Sequence, residues 1–174
     1  MSDISPLVHC TRLDELVLDD ATIPDFTPIA NLKQLRRFFA ARTNLDDLSF
    51  LSGFRELEYL SLQSSKIRDI SPLATLVSLK YLDISETGVT GIDALTDHLF
   101  LAELNISKTS VSDLSPLANC RSLEELTITY TDFTDYSVLS TISSLKIIRV
   151  ENIVFDRHIR KLKELVPPGC TILR

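Results

Sequence analysis

A leucine recurs every 22 residues along this chain, and this regularity limits the possible folds more than any other feature does. No insertion or deletion interrupts the spacing. A fixed period of about 20 to 50 residues is typical of a solenoid, in which each repeat stacks on its neighbours. The sequence therefore predicts seven stacked repeats over residues 4–157, followed by a C-terminal cap at 158–174, in a single domain. The column comprises Leu13, Leu35, Leu57, Leu79, Leu101, Leu123 and Leu145.

Each repeat contains a short alternating segment after this leucine. In the fourth repeat, Leu82 and Ile84 enclose the polar Asp83. Alternation with a period of two predicts a strand with apolar side chains facing inward and polar side chains facing outward. No repeat can bury its apolar side alone, so stacking is expected to create one continuous core.

A helix-start signal precedes each strand. Ser71 followed by Pro72 is one example, and the sequence predicts that serine or threonine at this position caps a short helical or 3₁₀ segment. An aspartate column two residues earlier is interpreted as carboxylates that cap backbone amides. The alternative is a calcium ladder, which is disfavoured because hard cations need about six or more converging oxygens. No metal or cofactor is therefore expected. The aspartates are Asp25, Asp47, Asp69, Asp113 and Asp135.

The segment Ile70-Ser-Pro-Leu-Ala-Thr-Leu-Val-Ser-Leu-Lys-Tyr-Leu-Asp-Ile84 resembles the 22-residue leucine-rich repeats of bacterial internalins. It also resembles the repeats of the leucine-rich regulatory subunit of protein phosphatase 1. The resemblance covers residues 4–157 and implies a curved α/β solenoid. A parallel β-sheet would form the concave face, with short helical or 3₁₀ segments on the convex side. The resemblance also implies that proteins bind on the concave face.

The chain departs from the internalin pattern in three respects. The column after the strand, where the family usually has asparagine, contains mostly hydroxyl side chains, which can partly replace the amide. Residues 1–174 also contain no match to the N-terminal helical cap or the anchoring tail of internalins, so neither is expected. At the other end, residues 156–166 predict a capping helix that Pro167 terminates, and residues 170–173 predict an edge strand. The hydroxyl column reads Ala21, Thr43, Ser65, Thr87, Thr109, Thr131 and Ile153.

Outward strand positions are expected to face solvent and to contain the binding residues. Phe39, Tyr59 and Tyr81 form a predicted aromatic stripe, because aromatic and arginine side chains are common interface anchors. Arg37 and Arg42 would flank it on one side, and acids including Glu125 on the other. The alternative is that the aromatics only stabilise the sheet, with Phe39 turned inward beside Ala40. The predicted partner-binding residues are Arg37, Phe39, Arg42, Tyr59, Tyr81, Asp83, Glu103, Asn105 and Tyr130.

Composition and charge exclude several function classes. The 174 residues have a net charge of −6, which disfavours binding to nucleic acids or to a membrane surface. Neither a signal peptide nor a membrane-spanning stretch is present, so the sequence predicts a cytoplasmic protein, with specialised export left open. Cys10 and Cys120 are five repeats apart, about 24 Å at strand spacing, too far for a disulfide. Free buried thiols are therefore predicted.

No catalytic constellation is evident. The histidines fall in different repeats, and the four glycines form no phosphate loop, so the chain is predicted not to be an enzyme. His98 interrupts an apolar column, and either it occupies the core or Leu99 replaces it by a local slip.

The predicted function is a scaffold or regulator that binds a protein partner on the concave sheet. The alternatives are an inhibitor, such as a toxin-immunity protein or an enzyme regulatory subunit, and a secreted effector or adhesin. A monomer is expected, and acids around the first strand discourage edge-to-edge pairing. Self-association through the N-terminal edge is left open, because the first strand has no cap.

Overall fold

The computed structural model describes residues 3–131, 133, 135–151 and 156–174. In this part of the chain, eight short strands form one parallel sheet, and each strand pairs with the next along the sequence. Equivalent repeat positions face each other, as where Tyr81 pairs with Glu103 and Asp83 with Asn105. The strands are β1 (Glu15–Val17), β2 (Arg37–Phe39), β3 (Tyr59–Ser61), β4 (Tyr81–Asp83), β5 (Glu103–Asn105), β6 (Glu125–Thr127), β7 (Ile147–Arg149) and β8 (Thr171–Leu173).

A 3₁₀ segment precedes each of the strands β1 to β7, as predicted. One α-helix occurs among the described residues, α1 (Asp156–Leu165), and it precedes β8. The predicted capping helix and edge strand are thus confirmed to within one residue. Across the described part of the chain, no helix combines the length and apolar character needed to cross a membrane. The 3₁₀ segments are Ser5–His9, Thr27–Ile29, Ser49–Leu51, Ser71–Thr75, Asp93–Leu95, Ser115–Asn119 and Ser137–Thr141.

The recurring leucines form the centre of the core between the sheet and the 3₁₀ segments. Leu35, Leu79 and Leu123 are fully buried, and each contributes about 1.5–3 kcal/mol through removal of its side chain from water. Leu13 is only half-buried, because the first repeat has a neighbouring repeat on one side alone. Stacking of repeats, which shields both sides of each inner leucine, is therefore the main source of stability.

The start of each 3₁₀ segment corrects one prediction and confirms another. Ser71 is the first residue of its segment, and Ile70, which precedes it, makes no side-chain capping bond. Ser71 instead donates hydrogen bonds from its backbone nitrogen and its hydroxyl to Asp69, at 2.8 and 2.9 Å. The predicted capping role of serine and threonine is therefore wrong, whereas the capping role of aspartate is confirmed. The reason is local: a carboxylate two residues before a turn reaches the free backbone N–H in an Asx turn.

The threonine hydroxyls of the hydroxyl column make bonds within their own repeat. Thr43, Thr87 and Thr109 each donate to the carbonyl oxygen three residues earlier, at 2.8, 2.6 and 2.6 Å. These hydroxyls therefore close the turn after the strand and do not bridge neighbouring repeats. Ile153, the last member of the predicted column, lies outside the described residues.

Two predictions for single residues are resolved by burial. All three cysteines are free, and Cys120 is buried, Cys10 is exposed and Cys170 is partly buried. The prediction of free buried thiols is therefore confirmed for Cys120 and wrong for Cys10. Cys10 belongs to a core column but lies in the first repeat, which is covered on one side only. His98 is 1% exposed while Leu99 is 49% exposed, so the histidine occupies the core position without a slip.

Candidate protein-interaction surface

The aromatic side chains of the concave face form a stacked pair. Tyr59 and Tyr81 are directly opposite in β3 and β4, with ring centroids 6.3 Å apart and ring planes inclined by 28°. Phe39 is half-buried on the outward side of β2, while its neighbour Phe38 is fully buried in the core. Phe39 lies opposite Ser61 and forms no ring pair with the described aromatics. The structure thus joins two of the three predicted aromatics.

Several outward positions are shielded from solvent, which the sequence did not predict. Asp83 is 7% exposed, and Ala41 and Ser85 are also buried. On a concave sheet, neighbouring side chains converge, so a residue without a core position can still lose its contact with water. The expectation that all outward positions face solvent is therefore wrong for these residues.

The two predicted arginine anchors are paired with acids of the first repeat. Arg37 contacts Glu15 at 2.7 Å and Asp14 at 3.2 Å. Arg42 donates from Nε and Nη2 to the two oxygens of Asp20, both at 2.7 Å. This hydrogen-bonded pairing lowers the pKa of Asp20 and raises the pKa of Arg42. The charges at the N-terminal end of the concave face are therefore largely balanced within the protein.

The centre of the face contains a buried carboxylate that hydrogen bonds satisfy. Asp83 Oδ1 accepts from the backbone nitrogen and hydroxyl of Ser85, at 2.9 and 2.6 Å. Its Oδ2 accepts from Asn105 Nδ2 at 3.1 Å and from the Tyr81 hydroxyl at 3.5 Å. Among the described residues, Asp83 forms no salt bridge. The carboxylate is thus held in place by neutral donors, and its charge is not cancelled by a neighbouring cation.

A cavity of about 320 Å³ opens on the same face between β4 and β7. Arg149 Nε donates to Glu125 Oε1 at 2.6 Å, whereas Glu103 has no salt bridge within the described ranges. Burial, together with the negative charges of Asp83 and Glu103, raises the pKa of Tyr81 to about 12. Two carboxylates and one arginine line the cavity, so its lining has one more negative charge than positive. Its lining consists of Tyr81, Glu103, Leu104, Asn105, Glu125, Thr127 and Arg149.

Tyr130 is separate from the stacked tyrosines. It follows the end of β6, it is 48% exposed, and Lys108 Nζ lies 5.7 Å from its ring centroid. Lys108 also contacts Glu86 at 2.7 Å, which raises the pKa of the lysine and lowers that of the glutamate. These residues belong to a column with left-handed backbone conformation, φ 54 to 60°. The column comprises Asp20, Arg42, Ser64, Glu86, Lys108 and Tyr130.

An exposed apolar cluster that was not predicted from the sequence lies outside the concave face. Val77, Leu99 and Phe100, here called the rim patch, are 47%, 49% and 61% exposed. Val77 and Leu99 occupy equivalent positions of adjacent repeats. Three residues after each of them, the two repeats are joined by a hydrogen bond from Ala102 N to Lys80 O. The sequence contains a signal for this patch. The flanking repeats have arginine, Arg55 and Arg121, in the column that Val77 and Leu99 occupy, which indicates that this column faces solvent.

Comparison with solved structures identifies the fold. An internalin of Listeria monocytogenes (inlF) matches with a TM-score of 0.81 and 28% identity, over 98% of this chain and 52% of that protein. Internalin C2 (inlC2) of the same organism matches with a TM-score of 0.79 and 30% identity, over 86% of this chain and 66% of that one. A leucine-rich-repeat protein of Leptospira interrogans, 15% identical over 98% of this chain and 51% of that protein, has a TM-score of 0.79. This chain is a leucine-rich-repeat protein that resembles internalins.

The predicted fold class is thereby confirmed, as a leucine-rich-repeat solenoid with an open parallel sheet, 3₁₀ turns and a helix near the C-terminus. No protein-family profile and no curated protein sequence matches the chain. This leucine-rich-repeat chain spans about half the length of inlF and 66% of inlC2.

Proposed function

We propose that this leucine-rich-repeat protein is a protein-interaction module that binds a partner protein on the concave face of its sheet. The observation that carries the proposal is the stacked pair of Tyr59 and Tyr81, which presents aromatic surface on a sheet face. Buried tyrosines dominate many protein interfaces, because they cover a large area at a small cost in side-chain entropy. The resemblance to internalin structures supports an interaction module in general.

The surroundings of the tyrosine pair are also suited to an interface. Phe39 extends the apolar surface toward β2, while Glu103 and Asn105 provide polar groups on the other side. An aromatic centre with a polar rim is the usual anatomy of a protein-binding site. Arg37 and Arg42 are held by acids, so they contribute charged edges of fixed orientation.

A pull-down from lysate of the source organism tests the proposal, with three forms of the protein as bait. These are the wild type, the variant Tyr59→Ala/Tyr81→Ala, and the control Val77→Ala/Phe100→Ala, which removes apolar surface from the rim patch. The captured protein is then purified, and its affinity for each form is measured by calorimetry. We expect the tyrosine variant to bind at least about tenfold more weakly and the control to bind like the wild type.

Circular dichroism of all three forms verifies that they are folded. Equal affinity of the tyrosine variant and the wild type would exclude the concave face as the binding site. Loss of binding in the rim-patch control alone would indicate that the partner binds the rim patch and not the concave face.

A further inference from the structure

We infer that the partner inserts a cationic side chain, an arginine or a lysine, into the cavity between β4 and β7, here called the acidic cavity. This inference rests on the proposed function, because it assigns a chemical type to the residue that the concave face receives. The surface is a sheet face with an aromatic wall at Tyr81, carboxylates at Glu103 and Glu125, and an amide at Asn105.

The charges around the acidic cavity favour a cationic occupant. Two carboxylates, those of Glu103 and Glu125, line the cavity together with one cation, Arg149. The Asp83 carboxylate lies next to the lining, because Asn105 donates to it at 3.1 Å. Arg149 is already engaged by Glu125 at 2.6 Å. The side chain of Asp83 is 7% exposed, so water screens its charge poorly. The negative excess therefore attracts a cation and repels an acidic side chain.

The volume of the acidic cavity matches a single side chain. Pockets that enclose drug-sized ligands are typically about 300–1,000 Å³ in volume. The volume here, about 320 Å³, is at the lower end of that range. It suits one long side chain better than a folded segment. A partner can therefore contact Tyr59 and Tyr81 with an apolar group and place one neighbouring side chain in the acidic cavity.

The chemistry of the lining favours a cation further. A guanidinium or ammonium group can lie against the Tyr81 ring and donate to the Glu103 carboxylate at the same time. An arginine suits such a site especially well, because its planar group stacks on aromatic rings and donates in a fixed fork.

A second copy of this chain is a poor source of that cation. The net charge of −6 makes two copies repel each other. The cations on its own concave face are also in use, since Arg37, Arg42 and Lys108 each contact an acid within the chain. The occupant is therefore a different protein with an accessible basic residue.

A random-peptide display library, selected on the purified protein, tests the inference without knowledge of the natural partner. We expect the enriched peptides to contain an arginine or lysine beside an apolar residue. Synthetic versions are then measured by fluorescence anisotropy against the wild type, Glu103→Gln, and the matched control Glu56→Gln. Glu56 is an exposed acid outside the strands, so its substitution makes the same change in net charge.

We expect Glu103→Gln to weaken binding by about tenfold and Glu56→Gln to have little effect. Replacing the basic residue of the peptide by glutamine should weaken its binding to the wild type by the same factor. The same replacement should leave its affinity for Glu103→Gln almost unchanged. Equal effects of the two protein variants would overturn the inference, because they would indicate nonspecific attraction.

The proposed function is tested separately in the same experiment with Tyr59→Ala, because Tyr59 belongs to the stacked pair but does not line the acidic cavity. Peptides that need Tyr59 but lack a basic residue, or that tolerate Glu103→Gln, would contradict the inference and leave the proposed function supported. Peptides that bind the Tyr59→Ala variant as well as the wild type would contradict both.

Discussion

The Asp113 carboxylate accepts two hydrogen bonds from Ser115, one from the backbone nitrogen at 2.8 Å and one from the hydroxyl at 2.7 Å. Asp47 makes the equivalent bonds to Ser49, both at 2.8 Å. These bonds, from the backbone first and the hydroxyl second, lower the pKa of each aspartate below its ordinary value of 3.8. A lowered pKa in the folded state means that the ionised form stabilises the fold. This stabilisation is complete above pH 3.8 and is lost as the pH falls below that value.

The variant Asp47→Asn/Asp113→Asn should therefore be less stable than the wild type at about pH 6, with a melting temperature about 2–4 °C lower. The difference should shrink at about pH 3, because the wild-type carboxylates then also lose their charge. Thermal unfolding followed by circular dichroism measures both values. Asp46→Asn/Glu56→Gln is a matched control, because it also removes two exposed negative charges, and in the described chain neither residue accepts a hydrogen bond from a 3₁₀ segment. A deficit of the same size at both pH values would contradict this explanation.

These capping bonds also show which parts of the fold the sequence could predict. The period of 22 residues determines the strand register, so the pairing of Tyr59 with Tyr81 follows from counting. Counting does not determine whether Asp69 or Ser71 supplies the capping oxygen, since both residue types form such caps and only two positions separate them. The structure assigns that role to Asp69, because Ser71 already belongs to the 3₁₀ segment.

The candidate site was harder to predict for a physical reason. Burial of Asp83 depends on the curvature of the sheet and on the side chains of adjacent repeats, which no single repeat encodes. The pairing of Arg149 with Glu125 crosses from one outward column to another, because a long arginine side chain can reach beyond its direct neighbour. Composition of the columns was therefore sufficient to predict which residues share the outward face, but not to describe its hydrogen bonds.

Two serines in the same repeat should respond in opposite ways to replacement by glycine. Ser64 has a φ of 55°, a conformation that costs an L-residue about 1 kcal/mol and glycine almost nothing. Ser61 lies in β3, where glycine is destabilising by about 0.5–1 kcal/mol. Chemical denaturation should therefore show Ser64→Gly to be as stable as the wild type or more stable, and Ser61→Gly to be less stable. The same loss in both variants would indicate that left-handed backbone strain at Ser64 is negligible.

Two leucines separated by one residue should differ strongly in their effect on stability. Leu101 is fully buried, and its replacement by alanine should lower the free energy of unfolding by about 2–5 kcal/mol. Leu99 is 49% exposed in the rim patch, so Leu99→Ala should change it by less than about 0.5 kcal/mol. Urea unfolding of the two variants provides the comparison. A large loss in Leu99→Ala would mean that the rim patch packs against another part of the protein in solution.

His98 is an unusual core residue. It is 1% exposed, and neither imidazole nitrogen makes a hydrogen bond of normal geometry within the described residues. Burial lowers its pKa from 6.5, an effect that the nearby Leu73 carbonyl and the charge of Asp97 only partly oppose. The equivalent positions of other repeats include Leu32 and Leu76, both fully buried. His98 therefore places a polar imidazole at a core position that leucine occupies in other repeats.

His98→Leu should raise the melting temperature by about 2–6 °C, because it removes an unsatisfied polar group from the core. It should also reduce the dependence of stability on pH. With its pKa lowered in the folded state, His98 binds a proton more readily when unfolded, so wild-type stability falls as the pH drops through 6.5. Urea unfolding at about pH 7.5 and about pH 5.5 measures this loss in both proteins, and His9→Leu, at an exposed position, is the control. If His98→Leu loses as much stability as the wild type over this interval, another group is responsible for the acid sensitivity.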